Sequence, residues 1–156
     1  MSLEIERKYL PNENFDESLF SEKKSICQGF ICADEQKAVR VRIKNEQGYL
    51  TVKGPSDESG LSRFEFETPI PLESAEEMLK LCLRPLIEKT RYIYVYKDQT
   101  FEIDVFHGEN KGLVIIELEL EDKNSKVDLP PFIGMEVTGD PKYYNAYLAK
   151  KPYLSW

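Results

Sequence analysis

The sequence predicts an α+β fold that is mainly β, an antiparallel β-barrel with a charged interior and a few flanking helices, on three observations. About seven segments alternate apolar and polar residues with the period of two that a strand imposes. Short turn-forming stretches join them, which makes neighbouring strands antiparallel. Most of the strands place two or three ionised side chains on one face and fill every alternate position with an apolar residue. For one strand alone, a solvated face accounts for this. Repeated Arg-x-Arg, Glu-x-Glu and Glu-x-Asp faces along the chain change that reading, because a closed barrel gives all of them a common interior.

The first strand carries Glu4-Ile5-Glu6-Arg7-Lys8, with Glu4, Glu6 and Lys8 on one face. Strand geometry spaces its two carboxylates by about 7 Å, within reach of one hard cation. Residues 11–24 are polar and hold a short helix through Phe15, Leu19 and Phe20, capped by Asn12 or Asn14. Strands follow over 25–32 and, after a turn at 33–36, over 37–44. In the latter, Val39, Val41 and Ile43 form the apolar face, and Arg40, Arg42 and Lys44 share the other. Three like charges side by side require something anionic opposite them.

A hairpin turn at 45–48 leads to a strand over 49–54 with Lys53 on the face of Thr51, and residues 55–60 form a polar rim. From Leu61, Arg63, Glu65 and Glu67 alternate with Phe64 and Phe66. The period then changes over 71–82, where Leu72, Ala75, Met78, Leu79 and Cys82 make one face of an amphipathic helix. A long strand over 83–96 puts Lys89 and Arg91 on the face of Ile87, and after a turn at 97–99 the strand 100–106 presents Glu102 and Asp104. Beyond a loop at 107–112, Glu117, Glu119 and Glu121 share a face over 113–121. A short strand at 132–138 and a helix at 141–150, with Tyr144, Tyr147 and Leu148 on one side, complete the chain.

With 156 residues, 41% of them hydrophobic and 31% charged, the chain is expected to form one domain spanning 1–156. A net charge of −7 argues against extended contact with nucleic acid or an anionic membrane. No run approaches the ~18 apolar residues of a membrane span, and Met1-Ser2-Leu3-Glu4 has no signal-peptide core, so a cytoplasmic location is expected. Cys27, Cys32 and Cys82 lack metal-site spacing and read as reduced structural thiols, and His107, before a glycine, reads as a turn residue. An apolar outer barrel face would be covered by the helices or by a second subunit, as in a homodimer.

An interior lined by both signs must be hydrated or mutually compensated, since a lone ion at low dielectric costs several kcal/mol. Lys8, Arg40, Arg42, Lys53, Lys89 and Arg91 suit a polyanion, the arginines especially, because their planar forks match phosphate oxygens. Glu4, Glu6, Glu65, Glu102, Asp104, Glu117 and Glu119 would repel that anion unless divalent ions stand between. Phosphate together with Mg²⁺ or Mn²⁺ satisfies both sets.

Those residues carry a family resemblance. Glu4-Ile5-Glu6-Arg7-Lys8 resembles the ExExK signature of the CYTH, or triphosphate tunnel metalloenzyme, superfamily. Further matches keep their order: Val39-Arg40-Val41-Arg42, Thr51-Val52-Lys53-Gly54, Arg63-Phe64-Glu65, Glu88-Lys89-Thr90-Arg91-Tyr92 and Phe101-Glu102-Ile103-Asp104. Gly112-Leu113, Glu117-Leu118-Glu119, Glu136-Val137-Thr138-Gly139-Asp140 and Tyr143-Tyr144-Asn145 continue the series to the C-terminal end. The resemblance implies an eight-stranded antiparallel tunnel. Compact size and the C-terminal motifs are similar to the bacterial branch that hydrolyses inorganic triphosphate.

The resemblance also implies roles. Lys8, Arg40, Arg42, Lys53, Lys89 and Arg91 are expected to hold phosphoryl oxygens, with Lys8 also the candidate general base or water orienter. Glu4, Glu6, Glu117 and Glu119, helped by Asp104 and Glu65, are expected to hold Mg²⁺ or Mn²⁺. Arg63 and Glu67 read as rim or structural residues, and Lys44 and Glu121 as solvated strand ends. One departure is Gln28-Gly29-Phe30, where relatives often carry a tyrosine third. Two further activities fit the pattern: a class IV type adenylate cyclase or organic triphosphatase acting on ATP or thiamine triphosphate, and a non-catalytic polyphosphate-binding module.

Overall fold

The computed structural model describes residues 3–156; Met1 and Ser2, part of the stretch expected to lack a signal core, lie outside the described residues. Nine strands form one sheet in the order β5-β4-β3-β2-β6-β7-β8-β1-β9. They are β1 (Leu3–Pro11), β2 (Lys23–Ala33), β3 (Ala38–Lys44), β4 (Gln47–Ser56), β5 (Ser62–Ile70), β6 (Ile87–Tyr96), β7 (Gln99–Phe106), β8 (Val114–Glu119) and β9 (Ile133–Glu136). Antiparallel pairing of Leu3 with Phe64, Glu4 with Arg63 and Ile5 with Ser62 joins β1 to β5 and closes the ring. β9 pairs only with the far end of β1, at Tyr9 and Pro11, so the closed barrel has eight staves. Closure removes the exposed sheet edges that would invite aggregation.

The hairpins are tighter than the turn residues suggested. Lys44 pairs with Gln47 and Tyr96 with Gln99, leaving two-residue loops, Asn45-Glu46 and Lys97-Asp98. All four loop residues take positive φ, from 47° to 70°, as the right-handed strand twist demands of a two-residue connection. Consequently β4 and β7 begin earlier than expected. The helices are shorter: α1 spans Leu72–Leu79 and α2 only Asn145–Leu148, and the 11–24 stretch contributes a single 3₁₀ turn, Glu17–Leu19. Asp16 caps that turn by accepting from Ser18 N, while Asn12 folds onto Asn14 N and the carbonyls of Pro131 and Ile133.

Three apolar clusters occupy what the charged faces leave. Around β1, β6, β7 and β8, Phe101, Ile103, Ile116 and Leu118 are sealed by Phe20 and Phe132 from the connecting segments, with ring centroids of these two 5.4 Å apart. Ala75, Leu79 and Cys82 of the α1 region cover Val41 on β3. Gly29 has no room for a Cβ there, since one would come within 2.6 Å of the Cys82 Cβ and 2.7 Å of Leu86. The third cluster closes one end of the barrel. Phe30, Ala38, Ile87 and Phe106 pair across the ladder with Arg40, Lys53, Gln28 and Lys89 and so share their inward face, and Leu148 and Ala149 of the α2 region pack on them. The tunnel lining therefore changes from charged to apolar towards α2. Among the described residues no helix is long and apolar enough to cross a membrane.

Candidate active site

Cross-strand pairing decides which charges meet. On β7, β8 and β1 the register sets Glu102 opposite Glu117 and Glu6 opposite Glu119, two carboxylate pairs side by side. Like charges directly opposite repel. At other rungs unlike charges face each other: Lys8 opposite Glu117, Arg91 opposite Asp104, Lys53 opposite Glu65 and Arg63 opposite Glu4.

Two connected spaces result. The outer chamber, about 250 Å³, is lined by charged side chains apart from Leu3. Glu4, Glu6, Glu65, Glu102, Glu117 and Glu119 line it together with Arg40, Arg42, Lys53 and Arg91. The inner chamber, about 40 Å³, is bounded by Lys8, Arg40, Lys53, Arg63, Lys89 and Arg91 against only Glu6 and Glu117. Phe30, Ala38, Asn145 and Ala146 form its base under α2. A larger cleft of about 680 Å³ is walled by the 55–60 loop, Tyr144 and Tyr147, and holds none of the residues expected to bind phosphate or metal.

All six cations expected to hold phosphate reach the tunnel, and each has a local counter-ion. Lys8 Nζ lies 3.6 Å from Glu6 and 3.7 Å from Glu117, donates to the Tyr143 carbonyl at 3.3 Å and sits over the Tyr144 ring. Burial lowers its pKa, but Glu117 and Glu6 more than compensate, and the net shift is upward. Lys53 Nζ donates to Glu4 at 2.9 Å; burial, with Arg40 nearby, still brings it to about 8. Arg40 and Arg42 both donate to Glu67 Oε2 at 3.3 Å, and Thr51 donates to the same atom at 2.8 Å. Burial and the Arg42 charge lower Arg40 to about 9. Each arginine keeps a buried Nε without a partner, donor capacity that an anion could use.

Asp104 departs from the expected metal set. Fully buried, it accepts from Lys89 Nζ at 2.7 Å, Arg91 Nε at 2.7 Å and Arg91 Nη2 at 2.9 Å, so both oxygens are taken. Burial would raise its pKa, yet Arg91 and Lys89 hold it well below the usual carboxylate range. It is the counter-ion of two cations that line the inner chamber. Glu65, with a side chain 23% exposed, lies 3.6 Å from Lys53 at the outer chamber.

Glu4, Glu6, Glu117 and Glu119 remain as the expected ligand group, and their donor chemistry fits a hard divalent ion: oxygen only, without thiol or imidazole. Among the described residues no three acidic, His or Cys side chains already converge at coordinating distance. Against burial, Lys53 holds Glu4 and Lys8 holds Glu117 below the usual carboxylate range, whereas Glu6 and Glu119 are left crowded by other carboxylates. Burial and the Glu117 charge raise Glu6 to about 8, and burial and Glu4 raise Glu119. A cation placed between these carboxylates would relieve that repulsion.

Arg63 and Glu67 were underread from sequence. Arg63 lines the inner chamber, lies 3.9 Å from Glu4 and has its guanidinium 5.1 Å from the Tyr144 ring centre. Period-two alternation had already set both residues on the face of Glu65, which was the usable signal. Gln28 and Asn145, uncharged and far apart in sequence, carried no such signal.

Comparison with known proteins agrees with this geometry. The CYTH domain family matches residues 2–144. An inorganic triphosphatase of Acetivibrio thermocellus is 48% identical, over 100% of this chain and 99% of its own length. Another, of Nitrosomonas europaea, is 35% identical over 94% of this chain and 96% of its own. A crystal structure of an inorganic triphosphatase superposes with a TM-score of 0.66 at 30% identity, covering 96% of this chain and 95% of that one. With a closed eight-stave tunnel, opposed charge sets and matches along nearly its whole length, the chain belongs to the CYTH domain family.

Proposed function

We propose that the protein is a divalent-metal-dependent hydrolase that cleaves inorganic triphosphate to pyrophosphate and phosphate inside the tunnel. The observation that carries this reading is the partition of charge along the tunnel: an inner chamber of six cations against two carboxylates, opening to a carboxylate-rich outer chamber. A linear polyanion enters from the outer chamber, and one unsubstituted terminal phosphoryl group fits the inner one. Lys53, Lys89, Arg40 and Arg91 take its oxygens, and Arg42 holds the chain behind it. Positioning and charge neutralisation supply most of the acceleration.

Glu4, Glu6, Glu117 and Glu119 would hold the metal, Mg²⁺ or Mn²⁺, with Glu65 at the outer edge. When bound, the ion neutralises phosphate charge and lowers the pKa of coordinated water. Lys8 acts as a donor. Two carboxylates, a carbonyl and a ring face surround its ammonium, and all of them favour the charged form, so it orients a phosphoryl oxygen or the attacking water. In the reaction a water oxygen bonds to the terminal phosphorus. The bridging P–O bond breaks with its electron pair, pyrophosphate leaves, and one water proton is released.

The chemistry of the outer chamber favours inorganic triphosphate over ATP or thiamine triphosphate, because its charged lining contains no aromatic side chain on which an organic ring could stack. Inorganic triphosphate, ATP and thiamine triphosphate are each incubated with Mg²⁺, Mn²⁺ or EDTA, and phosphate, pyrophosphate and cyclic AMP are scored separately. Equimolar phosphate and pyrophosphate from inorganic triphosphate, lost in EDTA, is the expected result. Cyclic AMP as main product would replace this reading with the cyclase, and binding without turnover would replace it with the polyphosphate-binding module.

A further inference from the structure

A side chain outside the charged set reaches the base of the inner chamber. Asn145 opens α2, and its Oδ1 accepts from Lys89 Nζ at 2.9 Å and from Gln28 Nε2 at 2.6 Å. The three residues come from α2, β6 and β2, and Lys89 also donates to Asp104 of β7 at 2.7 Å. An ammonium has three donors. Two are taken, by Asp104 and Asn145, which leaves one for the chamber that Lys89 lines. Gln28 is fully buried and its Oε1 has no partner, so the amide is spent on holding Asn145.

We infer that Asn145 is a positioning residue for the proposed reaction: with Asp104 it holds the Lys89 ammonium from two sides and so aims the remaining N–H at the terminal phosphoryl group. Asp104 alone cannot do this. It lies across the ladder from Arg91 and attracts Lys89 towards the barrel wall, whereas the Asn145 oxygen is uncharged, pulls from the α2 side and does not repel the incoming anion. The C-terminal segment is thereby part of the anion site as well as its lid. Its hold is reinforced nearby, where the Tyr143 carbonyl accepts from Lys8 and Trp156 packs edge-on against Tyr143, Tyr147 and Tyr153.

This inference rests on the triphosphatase reading, and the test separates the two. A double-mutant cycle compares Asn145→Ala, Lys89→Met and the double variant on inorganic triphosphate with metal. Asn145→Ala is expected to lower kcat/KM about ten- to a hundredfold, the span of a hydrogen bond to a charged group. The loss falls on kcat, with KM within about threefold, because the outer-chamber arginines still hold the polyanion. In the Lys89→Met background the same change costs less than about threefold, since there is no ammonium left to aim. An undiminished loss in that background overturns the inference, as does an Asn145→Ala enzyme of wild-type kcat. Should Asn145→Ala fail to fold, Gln28→Met, which removes the amide orienting Asn145, carries the same cycle with the same non-additivity. If the wild type hydrolyses no triphosphate, the functional reading falls by itself and the cycle is read in triphosphate affinity by calorimetry. There, additive losses, or no binding by the wild type, overturn the inference.

Discussion

The two chambers are built from the same staves, yet their charges are managed in opposite ways. In the inner chamber nearly every cation has a matched carboxylate or carbonyl: Lys89 and Arg91 share Asp104, and Lys8 lies between Glu6 and Glu117. In the outer chamber Glu6 faces Glu119 and Glu102 faces Glu117, so carboxylates stand beside carboxylates, although Glu117 also has Lys8 across the ladder and Glu102 accepts from Arg91 at 3.0 Å. Compensated charge makes a rigid, preorganised cradle. Carboxylates set beside one another make a site that an exogenous cation would stabilise.

The largest effect is expected from Glu6→Gln, which removes a carboxylate crowded by Glu117 and Glu119. Metal-dependent turnover should fall about a thousandfold or more, consistent with loss of charge stabilisation in the transition state, while the thermal midpoint of the metal-free protein at neutral pH stays close to wild type, because Glu6, raised to about 8, already keeps its proton there. Steady-state assay and a circular dichroism melt check the pair; unchanged activity breaks the ligand assignment. Asp104→Asn should do the reverse in kind. Removing the partner of two buried cations is expected to cost about 3–5 kcal/mol of stability, read by urea denaturation, and a wild-type midpoint would show that the cradle is not preorganised by Asp104.

Glu67→Gln is milder, because its side chain is 30% exposed. Arg40 and Arg42 lose a shared acceptor, and KM for triphosphate should rise about tenfold or less, with a melt close to wild type. The smallest effect is that of the metal on stability, as distinct from turnover. Adding Mg²⁺ or Mn²⁺ to EDTA-treated protein should raise the melting temperature by the linkage that any native-state ligand imposes. In EDTA the sign of the pH dependence follows from Glu6. Its pKa is raised from 4.5 to about 8, so over that window the folded chain keeps a proton that the unfolded chain has released, and Glu6 makes stability fall as pH rises. Glu6→Gln should flatten that slope.

The sequence showed which residues face the tunnel for one physical reason: in a closed barrel, strand alternation is also the division between tunnel and exterior. Arg40 with Arg42, Lys89 with Arg91 and Glu117 with Glu119 were therefore legible as shared faces before any pairing was known. Asp104 was legible as a tunnel residue, but its pairing with Arg91 and Lys89 was not, because alternation says nothing about which neighbour a carboxylate meets across the ladder. Arg63 and Glu67 were on the right face and were discounted as rim. Helix lengths were overestimated, since α1 stops at Leu79 and α2 is a single turn held by aromatic packing of the segment after it.

The sequence by itself determined the barrel, its charged interior and the residues of both signs that line it, because period-two patterning and short turns leave few other ways to bury these faces. Register was decided only in the tertiary structure. Which carboxylate is spent on Arg91 and which is left beside another carboxylate depends on alignments between strands far apart in the chain. So does the meeting of Gln28, Lys89 and Asn145 beneath α2, whose bonds require three elements to arrive at one point.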